Sequence, residues 1–127
     1  MKPIYKRVLI KLSGEALGKD GKGFNAETIE RVAQEIVELE ASGLEVALVI
    51  GGGNIWRGRF TKEMNGANAD QMGMLATIIN ALCVQDAITR KGGRAVVFSA
   101  QEMNRFTRLY TRSAALDAMN DGCVALL

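Results

Sequence analysis

The sequence predicts an α/β fold: a parallel β-sheet with helices on both faces, in three layers. Two observations predict it. Short runs rich in Val, Ile and Leu alternate with longer segments of helical periodicity, the pattern of right-handed βαβ units. Glycines follow the first two runs, where a chain must turn sharply to leave a strand.

Tyr5–Leu12 (YKRVLIKL) mixes β-branched and apolar residues and ends at Ser13-Gly14, a strand followed by a turn. Leu17–Phe24 (LGKDGKGF) is glycine-rich and charged, hence a loop. Asn25 is expected to cap a helix, with Glu27 in the first turn where the helix dipole favours negative charge. Ile29, Val32, Ala33, Ile36 and Leu39 follow helical spacing up to a stop at Gly43. Glu45–Ile50 is near-continuously apolar, as in a strand covered on both faces. Gly51–Asn68 is a loop, with a helical turn expected near Phe60–Met64. Asp70 is expected to cap a long helix, Gln71–Arg90, apolar round most of its circumference and therefore buried, which Gly92-Gly93 ends. Ala95–Ser99 is a third strand, Ala100–Arg112 is polar without a clear period, Ser113–Met119 is helical, and Cys123–Leu127 is a fourth strand. The sequence stops on that strand without the loop or helix that a parallel sheet next requires. Residues 1–127 are therefore expected to form one domain that is incomplete at its C-terminal end. Such a half-sheet should expose apolar surface and aggregate or pair.

Composition narrows the chemistry. The 127 residues are 48% hydrophobic and 24% charged, ordinary for a globular domain of this length. Sixteen basic against 14 acidic side chains leave a net charge of +2, which gives no support to a nucleic-acid or membrane-surface partner. Uninterrupted apolar runs such as Val46–Ile50 and Ala95–Phe98 are too short to span a bilayer, and Met1–Arg7 lacks the apolar core of a signal peptide. The expected compartment is the cytoplasm. Cys83 and Cys123 form no CxxC pair and sit among apolar neighbours, as buried free thiols do. The absence of histidine excludes His-based triads and the usual zinc sites. No protein metal ligand is assigned; any Mg²⁺ would be held mainly by phosphates.

The stretch VIGGGNIWRG, Val49–Gly58, sits at a strand end, where open α/β sheets bind ligands. It fails the dinucleotide fingerprint because Trp56 fills the third glycine place, and it fails the Walker A loop because Arg59 and Phe60 stand where Lys and Ser/Thr belong. Its glycine amides, with Arg57 and Arg59, still suit phosphate oxygens. The alternative is a tight turn that packs a helix on a strand. Lys11, beside Ser13-Gly14 at the first strand's end, is placed to neutralise charge in phosphoryl transfer; the alternative is a solvated edge lysine. Asp70 suits either an N-cap or a hydrogen-bond acceptor for a ribose.

Taken together, KLSGEAL (Lys11–Leu17), VIGGGNIWRG (Val49–Gly58) and ADQMGMLATIINAL (Ala69–Leu82) closely resemble the bacterial uridylate (UMP) kinases of the amino acid kinase family. Order and spacing agree across the whole chain, which resembles the N-terminal half of such proteins. Relatives acting on carbamate, acetylglutamate or aspartate share the fold but not the MGMLAT helix start. The resemblance implies the α/β/α sandwich of the amino acid kinase type. It also implies transfer of the γ-phosphoryl group of Mg·ATP to UMP, giving UDP for pyrimidine nucleotide biosynthesis. By position, Lys11, Leu12, Ser13 and Gly14 would hold ATP phosphates, with Lys11 stabilising the transferring group. Gly53 and Arg57 would contact ATP, and Gly52 and Asp70 would contact UMP. Lys19, Asp20, Gly21, Lys22, Gly23 and Phe24 would belong to a GTP-response region, and Arg94 to an effector site. GTP as activator, UTP as inhibitor and a homohexamer built from dimers are also implied. Met72, Met74 and Leu75 are expected in core and dimer packing, and Trp56 at a subunit contact. Gly66 and Gln85 stand where such kinases commonly carry arginines, one near the UMP entrance and one linked to the effector. Two other expectations compete: a non-catalytic kinase-fold fragment that binds nucleotide or partner chains, and a sibling kinase with a small-acid acceptor.

Overall fold

The computed structural model describes residues 3–57 and 63–127. Five strands form one all-parallel sheet: β1 (Arg7–Leu12), β2 (Glu45–Ile50), β3 (Ala95–Ser99), β4 (Arg108–Leu109) and β5 (Val124–Leu126). Their spatial order is β1-β2-β5-β3-β4. Three helices, α1 (Ala26–Ala41), α2 (Gly66–Arg90) and α3 (Arg112–Asn120), and a 3₁₀ turn at Gly14–Leu17 complete it. The expected α/β/α sandwich is therefore present.

Connection handedness sorts the layers. The chain moves across the sheet from β1 through β2 to β3, so right-handed crossovers put α1 and α2 on one face. It then returns from β4 to β5, between β2 and β3, so the same rule puts α3 on the other face. Two cores result. Val46, Leu48, Ile50, Val97, Val124 and Leu126 meet α1 and α2 on one side. On the other, Ala47, Phe98 and Ala125 meet Ala115, Ala118 and Met119 of α3.

Local chemistry starts each helix. Asn25 Oδ1 accepts from Thr28 N at 3.2 Å, as expected, and α1 buries Ile29, Ala33 and Ile36 along one stripe. Thr111 caps α3 by accepting from Ala114 N at 3.0 Å. For α2 the expectation was wrong. Its cap is Asn65, whose Oδ1 accepts from Ala67 N at 2.9 Å, so the helix starts five residues before Gln71 and Asp70 lies within it, exposed. Asn65 outcompetes Asp70 because its side chain closes on amides at the loop exit, ahead of the first apolar turn. The helical turn expected near Phe60–Met64 lies largely outside the described residues.

The expected all-round burial of α2 is also corrected. Ala76, Val84, Ala87 and Ile88 are buried against sheet and α1, while Met72, Leu75 and Ile79 remain 40%, 45% and 47% exposed. By length and hydropathy alone α2 would pass as a membrane span; its buried stripe makes it a core helix. The polar stretch after β3 contains the two-residue strand β4, which has no apolar pattern to announce it, so the expected fourth strand is β5. Cys83 and Cys123 are free but only half-buried; partial desolvation raises the Cys83 thiol above its ordinary pKa.

Polar contacts link α1 to the end of α2, and α2 to the glycine loop. Glu30 on α1 pairs with Arg90 and, at 3.2 Å, with Lys91 at the end of α2. Buried Asn80 on α2 donates to Gly51 O at 2.7 Å and exchanges hydrogen bonds with Asn54 at 2.7 and 3.1 Å. Replacing Asn80→Leu leaves Asn54 Oδ1 and the carbonyl of Gly51 without their donor. Urea unfolding should show a loss of about 1–3 kcal/mol; unchanged stability would remove Asn80 from the set of residues that hold the loop.

Hydrogen bonds from Arg90, then Lys91, hold the Glu30 carboxyl below its ordinary pKa. A carboxylate lowered in the folded state adds stability above its unfolded pKa and loses it as pH falls through the folded value. Glu30→Gln should therefore lower Tm slightly at pH 7. That difference should close below about pH 4 and shrink in about 1 M salt. A gap that persisted at low pH would show that the contact is not ionic.

Candidate functional site

The site forms where two turns meet at the C-terminal rim of β1 and β2. Parallel pairing sets Lys11 beside Val49 and Leu12 beside Ile50, and Gly51 N continues the ladder by donating to Leu12 O at 2.9 Å. Past that point the chains interlock. A Cβ at buried Gly14 would lie 2.6 Å from Gly53 N and Asn54 Oδ1 and 2.8 Å from Gly51 O, so no side chain fits. Gly52 rests on α2 in the same way, its absent Cβ being 2.9 Å from Ala76 Cβ and 3.1 Å from Thr77 N. The glycines are thus packing residues as well as a backbone surface. The packing alternative weighed for VIGGGNIWRG is what these contacts display.

What that surface offers is anion chemistry. Among the described residues, the amides of Gly52 and Gly53 donate to no protein acceptor. Lys11 is exposed and makes no ion pair among the described residues. Arg57 lies beside Gly53, donating from Nε to Gly53 O at 3.3 Å and pairing through Nη2 with Glu15 Oε1 at 2.7 Å. Leu12 is half-buried and packs on the first core, while Ser13 opens the 3₁₀ turn with no side-chain cap. Arg59 lies outside the described residues.

The Lys19–Phe24 segment leans over the same rim. Asp20 and Gly21, with φ of 53° and 79°, close a two-residue turn held by Lys19 N to Lys22 O at 2.9 Å and its reciprocal at 3.1 Å. Gly23 N donates to Asn54 O at 2.9 Å, and Asn54 Nδ2 donates back to Gly23 O at 2.8 Å. A cleft of about 450 Å³ separates this turn from Gly53–Arg57. Phe24 is 47% exposed. Arg94 does not join the group. It precedes β3, at the opposite rim, and is bound to the backbone oxygen of Asp121, with the Asp121 carboxylate 3.6 Å away. Gln85 likewise ties α2 to β3 by donating to Ala95 O at 3.0 Å.

Asp70 lies in the second turn of α2. Trp56 Nε1 donates to the neighbouring Ala69 O at 3.0 Å and so fastens the glycine loop's far end to that helix. Among the described residues no three His, Cys, Asp or Glu come together as a metal site. Three residues escaped the sequence reading: Glu15, Asn54 and Asn80. An amide inside the apolar face of a helix was the available signal for Asn80; Glu15 and Asn54 carried none.

Comparison with known proteins agrees with this fold. The sequence profile of the Amino acid kinase family matches residues 6–126. The UMP kinase of Bacillus anthracis superposes with a TM-score of 0.89 at 39% identity, over 96% of this chain and 52% of that one. The UMP kinase of Ureaplasma parvum gives 0.88 at 32% identity, over 95% of this chain and 54% of its own. An isopentenyl phosphate kinase of T. acidophilum, at 20% identity and a TM-score of 0.64, shares the fold. The chain spans about half the length of these structures. The chain belongs to the amino acid kinase family.

Proposed function

We propose that this chain is the phosphoryl-handling part of a UMP kinase, which moves the γ-phosphoryl group of Mg·ATP to UMP and gives UDP. The observation that carries the reading is the interlock of Gly14 with Gly51–Asn54, which brings the Lys11–Gly14 turn and the glycine loop to one rim. Lys11, Leu12, Ser13 and Gly14 with Gly53 and Arg57 face the donor phosphates; Gly52 and Asp70 face UMP. Anion-binding groups are what a triphosphate requires, and the residues present fit it. Mg²⁺ arrives with ATP and neutralises charge on its phosphates. Lys11 holds charge that builds on the transferring group, and the loop amides that no protein acceptor takes orient it. Pyrimidine nucleotide biosynthesis in the cytoplasm follows from those substrates. Support for self-association, up to a hexamer, comes from Met72, Leu75 and Ile79, exposed along α2. GTP and UTP as effectors rest on the resemblance of Lys19–Phe24, which bonds to the glycine loop through Asn54; Arg94, at the other rim, has no such link.

UDP formation from UMP and Mg·ATP by the protein that carries this chain tests the reading. Lys11→Ala should lower kcat by about 10²-fold or more with little change in Tm, because the side chain is exposed. Full kcat in that variant, or preference for isopentenyl phosphate, carbamate or acetylglutamate over UMP, would overturn it.

A further inference from the structure

Arg57 is not an open cation. Its guanidinium already holds an anion, the Glu15 carboxylate, at 2.7 Å. That carboxylate lies where a side chain of residue 53 would start: a Cβ on Gly53 would fall on Glu15 Oε1, with Glu15 Cδ 2.8 Å away. A carboxylate thus rests on bare glycine backbone and against an arginine. The arginine, together with the Gly53 amide that no protein acceptor takes, is what phosphate oxygens use in anion sites. The Asp20-Gly21 turn covers the stem of Glu15, since a Cβ at Gly21 would be 3.7 Å from Glu15 Cγ and 3.8 Å from its Cβ. The pair still faces the cleft, with 38% of the Glu15 side chain and 33% of Arg57 exposed.

We propose that Glu15 is a resident counter-anion of the glycine loop, which an incoming polyphosphate must displace from Gly53 and Arg57. The inference rests on the phosphate-binding reading of this cleft. With the cleft free of ligand, Glu15 neutralises Arg57 and keeps its guanidinium folded against Gly53 O. A polyphosphate brings more charge and more oxygens than one carboxylate, so it takes the arginine and the glycine surface together. Displaced Glu15 must then move from under the Asp20-Gly21 turn, which ties that turn to occupancy of the cleft. Glu15 therefore lowers phosphate affinity. A mere strut that positions Arg57 would raise it, and the two roles have opposite signs.

Calorimetric titration of the protein that carries this chain with inorganic tripolyphosphate, in buffer without divalent cations, separates them. Glu15→Gln should bind about two- to fivefold tighter than the parent, the scale of one exposed ion pair removed from competition. The gain should vanish in an Arg57→Ala background. Glu15→Asp, which keeps the charge but is too short to reach Arg57, should also bind tighter and serves if the first variant melts early. The Arg57 Nε–H resonance should shift in Glu15→Gln before any ligand is added. If the parent binds and both variants bind equally or more weakly, Glu15 is a strut: the inference falls and the phosphate-binding reading stands. If neither parent nor variants bind tripolyphosphate, both fall.

Discussion

Everything at the rim of this sheet depends on a side chain that is not there. Gly14 seats its Cα against the backbone of Gly51 and Gly53 and the amide of Asn54, where a methyl group would lie only 2.6–2.8 Å from their atoms. Because the two turns touch, Gly51 can extend the β1–β2 ladder, and Asn54 can be enclosed between Gly23 and Asn80. The same contact carries Glu15, one residue further along, to the face of Gly53. Two strand ends that would otherwise lead separate loops become one surface. Binding and any chemistry there inherit their geometry from close packing of backbone on backbone.

Beneath that surface the stabilising interactions are neutral, and on it they are charged. Asn54 and Asn80 satisfy each other, Gly51 and Gly23 without any ionised group, and among the described residues no buried side-chain polar atom is left unpaired. A fully satisfied neutral network rigidifies and does not respond to salt or pH. Arg57, Glu15, Lys11 and Lys22 stand above it in partial or full contact with water. Exposed pairs contribute little to folding, on the order of 0–1 kcal/mol, so exchanging one for a ligand leaves the scaffold untouched. The division lets the cleft trade ions while its floor stays fixed.

How much of this was legible in the sequence follows from what each element depends on. β2 and β3 were read at their observed bounds because both faces are covered and their apolar runs stand out. α1 was legible because Asn25 acts on amides within one turn of itself. The start of α2 was not: Asn65 and Asp70 are equally good capping residues, and only the path of the loop decides between them. β4 pairs two exposed residues, Arg108 and Leu109, so it exists through its partner strand and has no pattern of its own. At the site, glycines and Lys11 could be singled out because their residue types are unusual at strand ends. Glu15 could not, since its role comes from contact with residues 38 and 42 positions away, Gly53 and Arg57. Arg94, expected at an effector site, is carried by the strand direction to the other rim, where it contacts Asp121 and not the glycine loop.

The surroundings of Lys11 set the last condition. β1 is an edge strand, and its Val8, Ile10 and Leu12 face the first core. Arg7, Leu9 and Lys11 point the other way, and Leu9 is 66% exposed because α3 covers β2 and β5 and stops short of β1. An ammonium group in water gains only about 1 kcal/mol from a unit charge about 4 Å away, but about 4 kcal/mol where the effective dielectric constant is near 20. For the proposed transfer, then, the stabilisation that Lys11 supplies depends on whatever covers Leu9. An apolar surface laid on this face would bury Leu9, exclude water from Lys11 and strengthen its hold on a developing phosphoryl charge in one step.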